Sequence, residues 1–421
     1  MTRSQRRLKP APQHGHPDRS TKNGHAPPAA LRRAAGRVQW PPMSTKRIAI
    51  VGAGPIGLEA ALYARMLGHQ VAVFDRGEVA ENIGHWGFLD LFTPWRLNTT
   101  PLGRSVAGKD ADFDSERCPT GRELRARYLL PLADSPPLRG HVFTRARVVS
   151  IEQNGPYHLT LADDAGRECR HEADVVLDCS GTFGQHRWAG PLGQPAIGEA
   201  AAMHRIWYLL PDIANADRHR FAGRTTLVVG AGHSAATAIA QLGRLAETDP
   251  TTRVNWVMRR WGQLLQVADQ DPFPRRRMLL QSVLHLATNR PPWLCLLDDA
   301  IVEEIYTGWH RRLYAAVRSS HQTLHLPVDE ILALVGYQPD ASILRPLPLY
   351  AHFIRHGAAR TASGLLGGPG HAASPQPGFF ILGAKSYGTN SAFLVHVGHA
   401  QVRDAFRLIH GDPQLDLYGR T

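Results

Sequence analysis

Arg47-Ile-Ala-Ile-Val51 runs directly into Gly52-Ala-Gly-Pro-Ile-Gly57, and Leu58-Glu-Ala-Ala-Leu-Tyr-Ala-Arg-Met-Leu67 follows. The apolar stretch reads as a buried strand, and the run after Gly57 has helical spacing. Glycines at such a joint permit a tight turn and let a pyrophosphate approach the helix N-terminus. Gly52, Gly54, Pro55, Ile56 and Gly57 are therefore candidate ligands of a dinucleotide. Gly68 ends the helix, and Gln70-Val-Ala-Val-Phe-Asp75 reads as the next strand. That strand closes on Asp75, 18 residues past Gly57, near where a ribose-binding carboxylate belongs. Arg76 beside it is a candidate for the same half of the ligand.

The pattern recurs. Thr226-Leu-Val-Val229 leads into Gly230-Ala-Gly-His-Ser-Ala235 and then a small-residue helix, Ala235-Ala-Thr-Ala-Ile-Ala-Gln-Leu242. Ala235 replaces the third glycine, where the requirement is close helix–strand packing. Gly230, Gly232, His233, Ser234 and Ala235 form the second candidate cradle. The following strand, Arg253-Val-Asn-Trp-Val-Met258, ends on Arg259-Arg260. A guanidinium there suits the 2′-phosphate of NADPH, where an acid would favour NADH. Two cradles in one chain predict two dinucleotides and electron transfer between them.

The 421 residues carry a net charge of +12. Residues 1–42 hold nine Lys or Arg against the single acid Asp18, so most of the excess lies in this segment. It is rich in Pro, Arg, Ala and His without hydrophobic periodicity, which predicts disorder. The remainder is only mildly basic, which argues against a nucleic-acid partner. Met43 reads as an alternative start, a few residues before the first strand. No apolar run is long enough to span a bilayer, which needs roughly 18 residues. The four cysteines form no C-x-x-C pair and no disulfide framework, which predicts a reducing, cytoplasmic setting and no relay dithiol. The 22 histidines show no metal-binding spacing, so no metal site is expected.

Further along, Thr120 and Glu123 have capping-box spacing at the start of a helix over 120–130. Strands are expected near 146–152, 157–161, 174–179, 301–306, 312–317 and 330–335. A helical stretch is expected over 270–300, and a closing helix over 391–406.

The order of parts resembles the two-dinucleotide-binding-domain flavoproteins, in particular the flavin-containing monooxygenases and N-hydroxylases. Leu97-Asn-Thr-Thr-Pro101 looks like their flavin-side segment, Asp174 to Gly181 like the outgoing connector, and Asp329 to Asp340 like the return connector. Gly383 is similar to the last FAD motif, although Ala384 and Lys385 stand where Gly-Asp usually continues. The monooxygenase fingerprint is incomplete: His204 and Tyr208 keep its terminal spacing, but its Phe and Gly are missing.

The resemblance implies an α/β fold of two Rossmann-like domains, with the FAD domain discontinuous in sequence. Its parts would be a tail over 1–44, FAD-binding segments over 45–205 and 329–421, and an NADPH-binding domain over 206–328. FAD would occupy the first cradle and NADPH the second. Asn98 and Arg96 would act at the flavin ring, with Trp86 and Trp95 nearby, Gly181 and Gly383 along the FAD backbone, and Lys385 meeting a phosphate or an anionic substrate. His204 would orient the nicotinamide, and Arg275 to Arg277 could assist at the phosphate. The implied activity is a monooxygenase using O₂ through a C4a-hydroperoxyflavin on a small organic substrate. A reductase or dehydrogenase without oxygen insertion, or a non-catalytic nucleotide sensor, stays open, as does a homodimer.

Overall fold

The computed structural model describes residues 44–260, 271–320, 322–350 and 376–419. The disorder expected for residues 1–42 concerns positions outside these ranges.

The first cradle is built on β1 (Arg47–Val51), α1 (Pro55–Met66) and β2 (Gln70–Phe74). Pro55 occupies the first turn of α1, where its fixed φ suits the helix and its missing N–H costs nothing. β3 (Val142–Phe143) pairs with β2, and an antiparallel meander follows: β4 (Arg147–Gln153), β5 (Tyr157–Ala162) and β6 (Glu168–Ala173). β7 (Val175–Asp178) then returns beside β1.

The second sheet starts with β8 (Ile206–Trp207) and β9 (Thr225–Val229). Then come α2 (His233–Thr248), β10 (Arg253–Val257), α3 (Pro274–Asn289) and β11 (Leu294–Leu297). A second meander, β12 (Ile301–Thr307), β13 (Leu313–Arg318) and β14 (Thr323–Val328), precedes β15 (Glu330–Ala333). The chain rejoins the first sheet through β16 (Phe379–Ile381) and closes with α4 (Val395–His410). The strand orders are β16-β7-β1-β2-β3 and β11-β10-β9-β15-β8, with every pairing parallel.

Alternation along the strands explains the layering. Ile48 and Ile50 face the cluster formed with α1 and α4, whereas Ala49 and Val51 face the first meander. In the second sheet Val254 and Trp256 face α2 and α3, while Leu227 and Val229 face the second meander. Each sheet is thus covered on both faces, as a parallel sheet requires.

Three expectations are corrected. The second sheet extends to Ala333, because β15 pairs with β9; the expected boundary at 328 falls before that strand. The helical reading of 270–300 covers α3 only, since Leu294–Leu297 is a strand beside β10. A four-residue apolar run carries no period that separates strand from helix. The helix at 120 has its capping box, but Leu124–Leu129 is π-wound just before Pro131, whose missing N–H interrupts the regular ladder.

Candidate functional site

In both cradles the first glycine is jammed and the second is free. A Cβ on Gly52 would lie 2.7 Å from the Cys179 carbonyl oxygen, and one on Gly230 would lie 2.3 Å from that of Leu334. Both have positive φ, +104° and +132°, which favours glycine. Around Gly54 and Gly232 no atom lies within 4 Å of such a Cβ. These two residues cap α1 and α2, and neither helix receives a side-chain cap. Open space facing uncapped N–H groups at a helix N-terminus is suited to a pyrophosphate.

Gly57 packs against the loop itself, its Cβ position only 1.8 Å from the Gly52 carbonyl oxygen. Ala235 is fully buried at the equivalent place. Pro55 is half-buried and Ile56 buried beneath Gly383, while Ser234 is exposed at the start of α2. His233 packs near Phe92, and burial lowers its pKa.

Asp75 stands at the end of β2 and accepts hydrogen bonds from the Ala53 and Gly77 amides at 2.7 and 2.9 Å. The loop and the carboxylate are therefore one rigid unit. Arg76 is exposed and its guanidinium lies beside Gly184, just past the outgoing connector. Gly181 has φ +69° with open space around it. At the second cradle, Arg260 is exposed, whereas Arg259 donates to the carbonyl of Gly190. Burial, then the nearby Arg187 guanidinium, lowers the Arg259 pKa. His204 is exposed, and Arg275 and Arg276 pair with Asp90 and Asp271.

The structure redirects four flavin-side expectations. Arg96 lies at the surface in an ion pair with Glu116, so its charge is directed at a carboxylate. Trp95 is fully buried against Phe113, with Arg127 5.3 Å from its ring; it is a core residue. Asn98 is buried and its side-chain amide donates to the Thr93 and Pro94 carbonyls at 2.9 and 2.8 Å. Those bonds use both of its N–H groups. Lys385 is buried and its Nζ is 2.6 Å from Asp178 Oδ2 and 3.1 Å from Ser180 Oγ. An ammonium so committed is not offered to a phosphate or a substrate. Trp86 keeps an intermediate position, packed on the first core and stacked toward Phe183 at 6.4 Å.

Three supporting groups escaped the sequence reading. Trp256 donates its indole N–H to the Gly230 carbonyl at 2.8 Å, fixing the second turn. Gln401 on α4 accepts from the Gly383 amide at 2.7 Å. Asp178, the partner of Lys385, also accepts from the Ser180 amide and hydroxyl, which braces the strand end beneath Gly52. Cys179 there is buried; burial, with the Asp178 carboxylate adding to it, raises its thiol pKa well above normal, so it is held as an unreactive thiol. Among the described residues no cluster of side chains could hold a metal, and no helix is long and apolar enough to cross a membrane.

Known proteins match this arrangement. The model of the pyridine nucleotide-disulphide oxidoreductase family matches residues 49–352. The ferredoxin–NADP reductase of Paraburkholderia xenovorans is 25% identical over 367 residues, 87% of this chain and 88% of that protein. The flavin-containing monooxygenase FMO GS-OX1 of Arabidopsis thaliana is 29% identical over 164 residues, 33% of this chain and 36% of that protein. Among solved structures, the bacillithiol disulfide reductase Bdr (YpdA) of Bacillus cereus superposes with a TM-score of 0.67 at 17% identity, covering 87% of this chain and 99% of that one. With two glycine cradles on two parallel sheets, the chain belongs to the pyridine nucleotide-disulphide oxidoreductase family, whose cofactors are FAD and a nicotinamide dinucleotide.

Proposed function

We propose that this chain is an NADPH-dependent flavoprotein reductase whose electrons pass from FAD directly to an acceptor outside the polypeptide. One observation carries the reading: two open cradles coexist with four free cysteines, none of them in a C-x-x-C pair. A relay dithiol of that kind, the internal route for electrons in a disulfide reductase, is therefore missing from the sequence. The match to a ferredoxin–NADP reductase along most of both chains supports a protein such as ferredoxin as acceptor.

In this reading Gly52, Gly54 and Gly57 frame the FAD pyrophosphate, and the N-terminus of α1 stabilises its charge. Asp75, held by the Ala53 and Gly77 amides, orients the ribose. Gly232 and Ser234 receive the NADPH pyrophosphate, and Arg260 pairs with the 2′-phosphate. FAD supplies the hydride and single-electron chemistry when bound. Arg259 positions the segment around Gly190, and the Lys385–Asp178 pair holds the strand end below the first turn.

A second reading, an oxygenase acting on a small organic substrate with O₂, is favoured by the 29% identity to a flavin-containing monooxygenase. The two readings separate in one assay. NADPH oxidation without O₂ that is matched by the reduction of added ferredoxin supports the first. NADPH consumption matched by oxygen incorporation into an amine or sulfide supports the second and overturns the first.

A further inference from the structure

We propose that the second dinucleotide-binding unit carries a separate site for a small, multiply charged anion, formed by arginines at the end of its sheet remote from the cradle. A crevice of about 710 Å³ lies there, within the size range of ligand pockets. Arg205, His219, Arg220, Arg224, Arg311 and Arg312 line it.

These cations do not come from one charge run. Arg205 ends the turn Met203–Arg205, His219 and Arg220 lie in the short helix Arg218–Phe221, Arg224 precedes β9, and Arg311 and Arg312 belong to the β12–β13 connection. The fold brings them together from three stretches of sequence.

Their pairing leaves most of that charge without a carboxylate. Arg220 donates to Glu330 at 2.7 and 2.9 Å and lies 5.2 Å from the Trp207 ring, so its guanidinium is fixed. The other acid of the crevice, Asp329, accepts from the Thr225 amide. Among the described residues, the Arg205 guanidinium reaches the Arg311 carbonyl at 3.4 Å and no carboxylate. Among the described residues, Arg205, Arg224, Arg311 and Arg312 form no ion pair with a carboxylate. Some arginines elsewhere do, as in Arg117–Asp112, Arg127–Asp110 and Arg407–Asp404; what sets these four apart is that they converge on one crevice. Arg311 also adopts φ +59°, a left-handed conformation uncommon for residues with a side chain.

The crevice is not the nicotinamide site. It lies at the N-terminal ends of β9 and β15, marked by Asp329 and Glu330. The cradle begins at Gly230, beyond the opposite end of β9, roughly 17 Å away at the usual rise per residue. Leu313 and Val328 are the only apolar side chains in the lining, so there is no bed for a base or an acyl chain. Forked guanidiniums without an apolar floor suit a compact polyphosphate or polycarboxylate.

The test uses the full chain with FAD bound and NADP⁺ saturating, so that the cradle is filled. Titration calorimetry at low ionic strength is run with tripolyphosphate, with citrate and with a glutamate decapeptide. Tripolyphosphate or citrate binds, and whichever is tighter identifies phosphate or carboxylate chemistry. Arg224→Glu with Arg312→Glu weakens that binding at least about thirtyfold, since like charges now face the ligand. FAD content and NADPH oxidation stay unchanged. Arg224→Gln with Arg312→Gln gives a smaller loss in the same direction and serves if the reversal fails to fold. The proposal is overturned if neither small anion binds, if both double variants bind as the wild type does, or if the decapeptide binds more tightly than either, which would make the surface a protein-docking patch.

Discussion

Two adjacent glycine substitutions should fail in opposite ways. A Cβ on Gly52 would lie 2.7 Å from the Cys179 carbonyl oxygen and 3.0 Å from Ser180 Cα, on a backbone with φ +104°. Both neighbours are backbone atoms and cannot rotate away. Overpacking costs about 1–3 kcal/mol and the left-handed backbone about 1–2 kcal/mol. Gly52→Ala should therefore destabilise the protein by about 2–5 kcal/mol even without cofactor. Gly54 has φ −83° and ψ −173°, an extended conformation any residue adopts, and open space around it. Gly54→Val should change the stability of the cofactor-free protein by no more than about 1 kcal/mol, the scale of a cap substitution. Its side chain would instead occupy the pyrophosphate position. A clash of about 2–3 kcal/mol weakens FAD binding by a factor of roughly 30 to 150. Urea unfolding of the FAD-free proteins reads the first effect, and quenching of flavin fluorescence on titration reads the second. Gly54→Val protein that folds normally and binds FAD like the wild type would refute the cradle assignment.

Other consequences follow from the same geometry. Lys385→Met leaves Asp178 charged in a buried site and should cost about 3–5 kcal/mol. Adding Asp178→Asn should recover at least about 2 kcal/mol of that loss in a double-mutant cycle, and strict additivity would show the pair is not coupled. Arg260→Ala should raise KM for NADPH at least about tenfold, as expected for a charge-assisted phosphate contact, and leave KM for NADH within about twofold; equal effects would remove the phosphate role. Burial raises the Glu59 pKa to about 7 from 4.5, so folding favours its protonated form. Its contribution is full below about pH 4.5 and is lost as pH rises to about 7, some 3 kcal/mol in all. Burial lowers His399 to about 3, which acts with the opposite sign in an overlapping range. The pH dependence of stability in Glu59→Gln minus that of the wild type should therefore slope, and parallel curves would contradict the buried-acid assignment.

The cradles were legible because their physics is local. A strand, two or three small residues and a helix lie within a dozen positions, and the repeat of the pattern carried the two-domain reading. What stayed hidden depends on distant partners. Lys385 meets Asp178 across 207 residues, and its sequence position alone offered a free cation. Arg96 finds Glu116 20 residues away. Trp95 and Trp86 had the same appearance in sequence, yet only Trp95 is fully buried. Trp256 fixes the Gly230 carbonyl, a bond no motif announces. β6, β11 and β14 were missed or misread as well. β6 alternates weakly because most of its side chains are exposed, and β11 is only four residues long.

The most direct test of two facing cofactors in one polypeptide is an anaerobic titration of the purified protein with NADPH, followed by flavin absorbance. The account predicts equimolar FAD and complete bleaching of the oxidised flavin band by one equivalent of NADPH, with NADH less effective. A protein that holds FAD but whose absorbance NADPH and NADH leave unchanged would contradict it.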